Sequence, residues 1–382
     1  SIKQNKELLA GIDLYYTFVN NKQLGPANIS YCCEYGAQIL NQVASSVPIS
    51  FEFQAGAPNE LEYELYGPNI YIWAMWALLC GYRGLNLYVL AGGKNLPRVG
   101  AEGTTYDYQA PIDTNGNLRE TYFGFKSAFD DLQDLQWLAD SNRIFDLAVG
   151  IFHIHPYRDN PTRQLFEYFF RTGYSAKAIL IDNLQLDFSM PIWIASEKVM
   201  SRENQEKLYS FVLTGGTLII SGQLPSEDTN HLPCNILSEG VGVVQKEHTP
   251  SVILNDGMET IMSAGYILES DFWDEVIEKR ADGKPAITIK KVGNGTVVFL
   301  PFEVKFSTKA QLELFKKVLQ RVGVSQISKF SKIRVIVLED NTGKAHWCAL
   351  NYTPETIYEK AEISGVEIEL NMKPFSVETG VL

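Results

Sequence analysis

Glu52 is the residue about which chemistry can be built. It sits in Val47-Pro48-Ile49-Ser50-Phe51-Glu52-Phe53, a β-branched and aromatic run that gives way at Gln54 to Pro58 to small residues. That pattern is a strand ending in a tight loop. A carboxylate between two phenylalanines costs free energy unless something hydrogen-bonds to it or uses it. The plain alternative is a strand-end glutamate facing solvent. Other reactive types are sparse. His153-Ile154-His155 could place two imidazoles on one strand face, but with no third ligand in reach a structural strand-end role is the better reading. The five cysteines (Cys32, Cys33, Cys80, Cys234 and Cys348) are odd in number and have no zinc spacing, which suits buried thiols in a reducing compartment.

The elements around Glu52 decide what it can do. Pro68 to Cys80 reads as a helix stopped by Gly81 and Gly84. Leu85 to Leu90 is a second strand, which meets the loop Ala91-Gly92-Gly93-Lys94-Asn95. Strand, loop, helix, strand, loop is one βαβ unit, and in a (β/α)8 barrel the loops at the C-terminal strand ends carry the chemistry. Upstream, Ile12 to Val19 is a strongly β run. Ser30 to Val43 is a helix with Tyr35, Ile39 and Val43 on one stripe. Trp73 and Trp76, at helical spacing, are core packing rather than ligand-stacking platforms. Leu118 to Leu138 reads as one amphipathic helix with Phe125, Phe129, Leu132, Leu135 and Leu138 along a face.

Glu52-Phe-Gln-Ala-Gly56-Ala-Pro-Asn59 resembles the nucleophile segment of the family 42 glycoside hydrolases, where Gly follows the Glu by four residues and Asn by seven. Gly92-Gly93-Lys94-Asn95 followed by Tyr106-Asp107-Tyr108-Gln109-Ala110-Pro111 resembles family 35, which belongs to the same retaining clan of β-galactosidase type. Glu60 stands where family 42 usually has Trp, and Lys94 replaces a family 35 Thr. The resemblance implies that Glu52 is the catalytic nucleophile of a retaining exo-β-glycosidase, with β-galactosidase the first expectation. Tyr15 or Tyr16 is placed one strand earlier to bond Glu52, and Tyr16 is assigned that orienting role. Tyr15, Asn59, Gly93 and Asn95 are assigned to the sugar. Two carboxylates suffice for such chemistry, so no cofactor and no metal are expected. The rival within the clan is an exo-β-glucosaminidase, for whose amine an extra pocket carboxylate would be favourable. From another class, the chain could be a non-catalytic assembly or binding fragment.

The fold class expected is α/β in three parts. Residues 1–142 carry the last three strands of a (β/α)8 barrel, numbered six to eight by position. Residues 143–327 form a flavodoxin-like doubly wound domain for assembly, and 328–382 a small antiparallel β-sandwich. Three strands do not close a barrel. The chain therefore reads as the C-terminal part of a longer enzyme, inactive without an N-terminal half-barrel that supplies the acid/base carboxylate. In the middle part strands and helices alternate: 146–153, a helix from Pro161 to Arg171, 178–182, 191–195, a helix from Ser201 to Leu213 with Ser201 as N-cap and Gly215-Gly216 as stop, and 217–221. Class I glutamine amidotransferases share such sheets, but Ser221-Gly222-Gln223-Leu224 supplies no cysteine nucleophile. No glycine-rich phosphate fingerprint opens a helix. Ala286 to Leu300 is a hairpin turning at Gly293-Asn294-Gly295, and Thr308 to Val322 a closing helix.

At 382 residues the chain can bury a large core. A net charge of −12 and a pI near 5.0 argue against a nucleic-acid groove and suit a neutral sugar as substrate. No run is long and apolar enough to span a bilayer, and the expectation is a cytoplasmic homo-oligomer, a trimer by resemblance.

Overall fold

The structure, a computed structural model, describes residues 11–15, 26–44, 47–56, 64–97, 105–152, 161–183, 190–254, 260–262 and 264–382. Tyr16, Asn59, His153 and His155 lie outside the described residues. The chain divides into two compact units, residues 1–144 with 327–382 and residues 145–326.

The first unit opens with a parallel sheet of β1 (Gly11–Leu14), β2 (Ile49–Gln54) and β3 (Gly84–Tyr88), in that order. Parallel neighbours need a crossover, and a helix supplies each one. Between β1 and β2, α1 runs from Pro26–Ser30 through a π-helical turn, Tyr31–Tyr35, into Gly36–Ala44. Between β2 and β3 lies α2 (Gly67–Leu79), with Pro68 in its first turn, where a fixed φ suits the helix. Ile70, Ile72, Trp73, Met75, Trp76 and Leu79 bury α2 all round. A helix without a polar face must be covered on every side. One cover is α3 (Glu120–Asp131), which crosses at two glycines: a Cβ on Gly124 would lie 2.3 Å from the Gly67 carbonyl oxygen. Another is Tyr352, whose ring stacks on Trp76 at 5.5 Å.

The single helix expected over Leu118 to Leu138 is not found. After Asp131 the chain tightens into two 3-10 turns, Leu132–Asp134 and Gln136–Asp140. The reason lies in the spacing. Leu132, Leu135 and Leu138 recur every third residue, which is the 3-10 period, and Leu135 and Leu138 are buried by it. Arg83 donates to the Leu138 carbonyl at 2.8 Å, taking up an acceptor that a longer helix would have used itself.

The second unit is built on one seven-stranded sheet. Its parallel strands are β4 (Leu147–Ile151), β5 (Ala176–Leu180), β6 (Ile192–Ser196), β7 (Thr217–Gly222) and, after two further strands β8 (Glu275–Lys279) and β9 (Pro285–Val292), β10 (Gly295–Leu300). The spatial order is β8-β9-β10-β7-β6-β4-β5, with β8 and β9 antiparallel. Numbered by appearance, the parallel strands stand 2-1-3-4-5, an order that doubly wound sheets use. Alternation splits each strand between two cores. Ile192, Ile194, Leu218 and Ile220 pack with Leu208, Phe211 and Val212 of α5 (Arg202–Leu213). Trp193, on the other face, meets Phe169 of α4 (Pro161–Thr172) at 5.8 Å and Phe315 of α6 (Lys309–Arg321) at 6.1 Å. Caps fix the helix starts: Ser201 accepts from the Asn204 amide at 3.2 Å, and Thr308 with Gln311 forms a capping box.

The first unit is completed by β11 (Arg334–Glu339), β12 (Ala345–Asn351), β13 (Ile357–Ile363), β14 (Val366–Met372) and β15 (Ser376–Val381). Two antiparallel sheets result, β15-β12-β11 extended by Asn142–Arg143, and β14-β13 extended by Ser328–Lys329. Ile333, Val335, Trp347, Ile363 and Met372 share their core. Glu34, on the π-helical turn, ties this region to α1. It accepts from Arg334 at 2.8 and 3.0 Å, from Arg143 at 2.8 Å and from Ser30 at 2.6 Å. Burial alone would raise the Glu34 carboxyl, but Arg334 and Arg143 hold it well below the usual carboxylate range. No helix of the described residues is long and apolar enough to cross a membrane.

Candidate functional site

Glu52 stands near the carboxyl end of the middle strand of the β1-β2-β3 sheet. Its orientation comes from an irregularity. Between Ser50 and Phe53, β2 carries one residue more than either neighbour, so the register slips against both β1 and β3. A bulge of this kind re-aims side chains at a strand end. Here it sets Glu52 opposite Asp13 of β1 and leaves Phe51 42% exposed.

Tyr15 follows β1 directly and donates its hydroxyl to Glu52 Oε2 at 2.5 Å. Burial first, then this bond and the Glu52 charge, push the Tyr15 hydroxyl far above the ordinary phenol range, so it stays a donor. Of the two candidate tyrosines, Tyr15 is the one seen bonded to Glu52; Tyr16 lies outside the described residues. Asp13 is also raised, by desolvation first and then by Glu52. Among the described residues neither Asp13 nor Glu52 has a Lys, Arg or His partner. The site is therefore a pair of neighbouring carboxylates with one hydroxyl donor. Tyr88, at the end of β3, is 47% exposed.

The second motif folds onto the loop that follows Glu52. Gly56 comes so close to Tyr108 that a Cβ would lie 2.7 Å from the Tyr108 carbonyl oxygen. Ala55 N–H donates to the Tyr88 carbonyl at 2.8 Å. Gly93–Lys94 pairs antiparallel with Thr105–Tyr106, and a Cβ on Gly93 would meet the Tyr106 hydroxyl at 2.4 Å. Gly93 is therefore required by the approach of Tyr106, and Asn95 follows two residues later in the same loop. Arg119 holds the segment from behind, pairing with Asp107 at 2.7 Å and donating to the Ala110 carbonyl at 2.7 Å. Tyr108 and Gln109 both take φ of 54°, strained for side-chain-bearing residues. Gln109 recovers part of that cost by accepting from the Leu65 amide at 3.1 Å.

Reasoning from sequence did not single out Asp13, which lies opposite Glu52, or Tyr88 at the end of the neighbouring strand. Their signal was their place at the ends of β1 and β3, on either side of the Glu52 strand. Elsewhere, Ser221 is spent on structure: it accepts from Trp193 Nε1 at 3.1 Å and donates to the Ile194 carbonyl at 3.2 Å. The described residues hold no group of three His, Cys, Asp or Glu that could bind a metal. Cys80 and Cys348 are buried, and burial pushes the Cys348 thiol up to about 12.

Comparison with known proteins gives three findings. Residues 168–275 match the family model described as GLMA-like, second domain. In sequence the chain is 27% identical over 370 residues to an exo-β-D-glucosaminidase from Pyrococcus horikoshii, covering 85% of this chain and 45% of that protein. It is 23% identical over 401 residues to a β-1,2-glucosyltransferase from Ignavibacterium album, covering 93% of this chain and 54% of that one. The chain spans about half the length of the curated relatives it matches. In structure it resembles a GH42 β-galactosidase from G. stearothermophilus, with a TM-score of 0.77 at 12% identity over 97% of this chain and 59% of that one. The fold is thus mixed α/β of the kind seen in GH42 β-galactosidases, and the relatives in sequence include glycoside hydrolases.

Proposed function

We propose that the protein is a retaining β-glycosidase in which Glu52 is the nucleophile. The observation that carries this reading is the Tyr15–Glu52 hydrogen bond at the carboxyl end of parallel strands. One Glu52 oxygen attacks the anomeric carbon, the bond to the leaving-group oxygen breaks, and a second carboxylic acid about 5–5.5 Å away protonates that oxygen. The same group then takes a proton from water, whose oxygen replaces Glu52 on the sugar. We place this acid/base on further strands that continue the sheet past the outer edges of β1 and β3, which are unpaired among the described residues. In this reading the three strands are the last of a (β/α)8 barrel. A sugar hydroxyl in place of water would give transfer rather than hydrolysis from the same intermediate.

Between the two sugars considered, a β-D-glucosaminide is favoured over a β-galactoside by Asp13. An uncompensated carboxylate beside the nucleophile can pair with the 2-ammonium group, which lies next to the anomeric carbon. The match of residues 168–275 to a GLMA-like domain and the glucosaminidase among the relatives support the same choice. The test is a 5-fluoro-β-D-glucosaminyl fluoride, which keeps the 2-amino group and traps the glycosyl-enzyme. A sugar-sized mass increment on the peptide containing Glu52 is expected. Labelling of another carboxylate, with hydrolysis intact in Glu52→Gln, overturns the assignment.

A further inference from the structure

The second unit holds a cavity of about 320 Å³ at the carboxyl ends of three neighbouring parallel strands. Ser196 ends β6 and Glu197 follows it, Gly222 and Gln223 close β7, and Glu303 comes just after β10. His248 and Tyr266, from the antiparallel pair Val244–Thr249 and Gly265–Glu269, add two rings in edge-to-face contact at 5.2 Å. The carboxyl ends of such strands are where open α/β sheets bind ligands. The strand ends are drawn together by Gly222, at φ +91°, where a Cβ would lie 2.5 Å from the Ser196 carbonyl oxygen.

The chemistry of the wall narrows the ligand. Ser196 is 4% exposed, and its hydroxyl has no hydrogen-bond partner among the described residues. Such a group is costly unless something else completes it. Tyr266 donates to Gln223 Oε1 at 3.0 Å, which leaves the Gln223 amide N–H groups available. Lys198 is paired with Glu227 at 2.5 Å and Glu303 with Lys305 at 2.5 Å, so among the described residues lining the cavity the charge without an ion-pair partner is the Glu197 carboxylate. That balance disfavours a phosphate or another anion. The volume is at the small end for ligand sites, too small for a dinucleotide. We propose that this cavity binds a monosaccharide-sized polyol, neutral or bearing an amine, held by Ser196, Glu197 and Gln223 against the rings of His248 and Tyr266. The proposal does not depend on the catalytic reading of Glu52.

The chain has five histidines, so the ring protons of His248 can be followed by NMR in the whole protein. Titrations use D-galactose, D-glucosamine and inorganic phosphate. A saturable shift of His248 with at least one sugar is expected, unchanged in Glu52→Gln and weakened roughly tenfold or more in Glu197→Ala/Gln223→Ala. Preference for glucosamine over galactose would identify an amine-bearing ligand, and equal binding a neutral one. Should the double variant misfold, Ser196→Ala is the substitute, and a severalfold loss is expected there. A His248 signal unmoved by either sugar through the millimolar range overturns the proposal. So does a response to phosphate instead, or sugar binding that survives these variants at full strength.

Discussion

At the scale of the residue, the hydroxyl of Tyr15 decides how Glu52 is presented. A hydrogen bond to a charged group contributes about 1.5–3 kcal/mol. The bond fixes the attacking carboxylate, so its loss misplaces the nucleophile, and Tyr15→Phe should lower kcat roughly 10- to 100-fold with little change in the folded state. Single-turnover kinetics on an aryl glycoside would measure it, and an unchanged kcat would remove Tyr15 from the site. Asp13 gives a second prediction. If it pairs with a sugar ammonium, Asp13→Asn should lower kcat/KM on an aryl β-D-glucosaminide by about tenfold or more and spare the aryl β-galactoside. Asp13 should also titrate above the ordinary aspartate range and move down in Glu52→Gln, since one of its two raising causes is then gone. Carboxyl-carbon NMR would follow that movement directly.

At the scale of the element, the strand holding Glu52 depends on how α2 is seated. The helix returns the chain from β2 to β3, and its contact with α3 leaves no room for a side chain at Gly124. Gly124→Val should therefore cost about 1–3 kcal/mol through overpacking, read as a lower urea midpoint with the slope retained. The existence of these elements was legible in the sequence. Apolar periodicity, Gly81 and the Gly293-Asn294-Gly295 turn place α2 and the β9–β10 hairpin within a residue or two of where they lie. The bulge at Phe51 was not legible, because an extra residue in one strand shows only against its neighbours. Neither was the break after Asp131, where a stripe running on through Leu138 masks a change of period from about 3.6 to 3.

At the scale of the whole molecule, the first unit is discontinuous: residues 327–382 belong with 1–144, and the second unit is one unbroken stretch. Residues 145–326 expressed alone should unfold in one cooperative transition, while a chain lacking 327–382 should keep that transition and lose the first unit's own. Calorimetry of the two truncations distinguishes these outcomes. Sequence could not have shown what closes the first unit, since Glu34 and Arg334 stand 300 positions apart and no local pattern links them. That pair also carries a pH signature. Removing one partner of a buried ion pair costs about 3–5 kcal/mol, because the other charge is left buried and uncompensated. Glu34→Gln leaves Arg334 and Arg143 together without their carboxylate, so a loss of that size is expected at pH 7. The Glu34 carboxyl is held below its ordinary value in the folded state. Its stabilisation is therefore complete above the unfolded value of about 4.3 and is lost as pH falls below it. The stability gap between the native protein and Glu34→Gln should be constant from pH 7 to about 5 and narrow steadily below about 4.3. Urea unfolding across that range measures the gap. A gap that widened on acidification would mean that Glu34 is not the ionised partner of the two arginines.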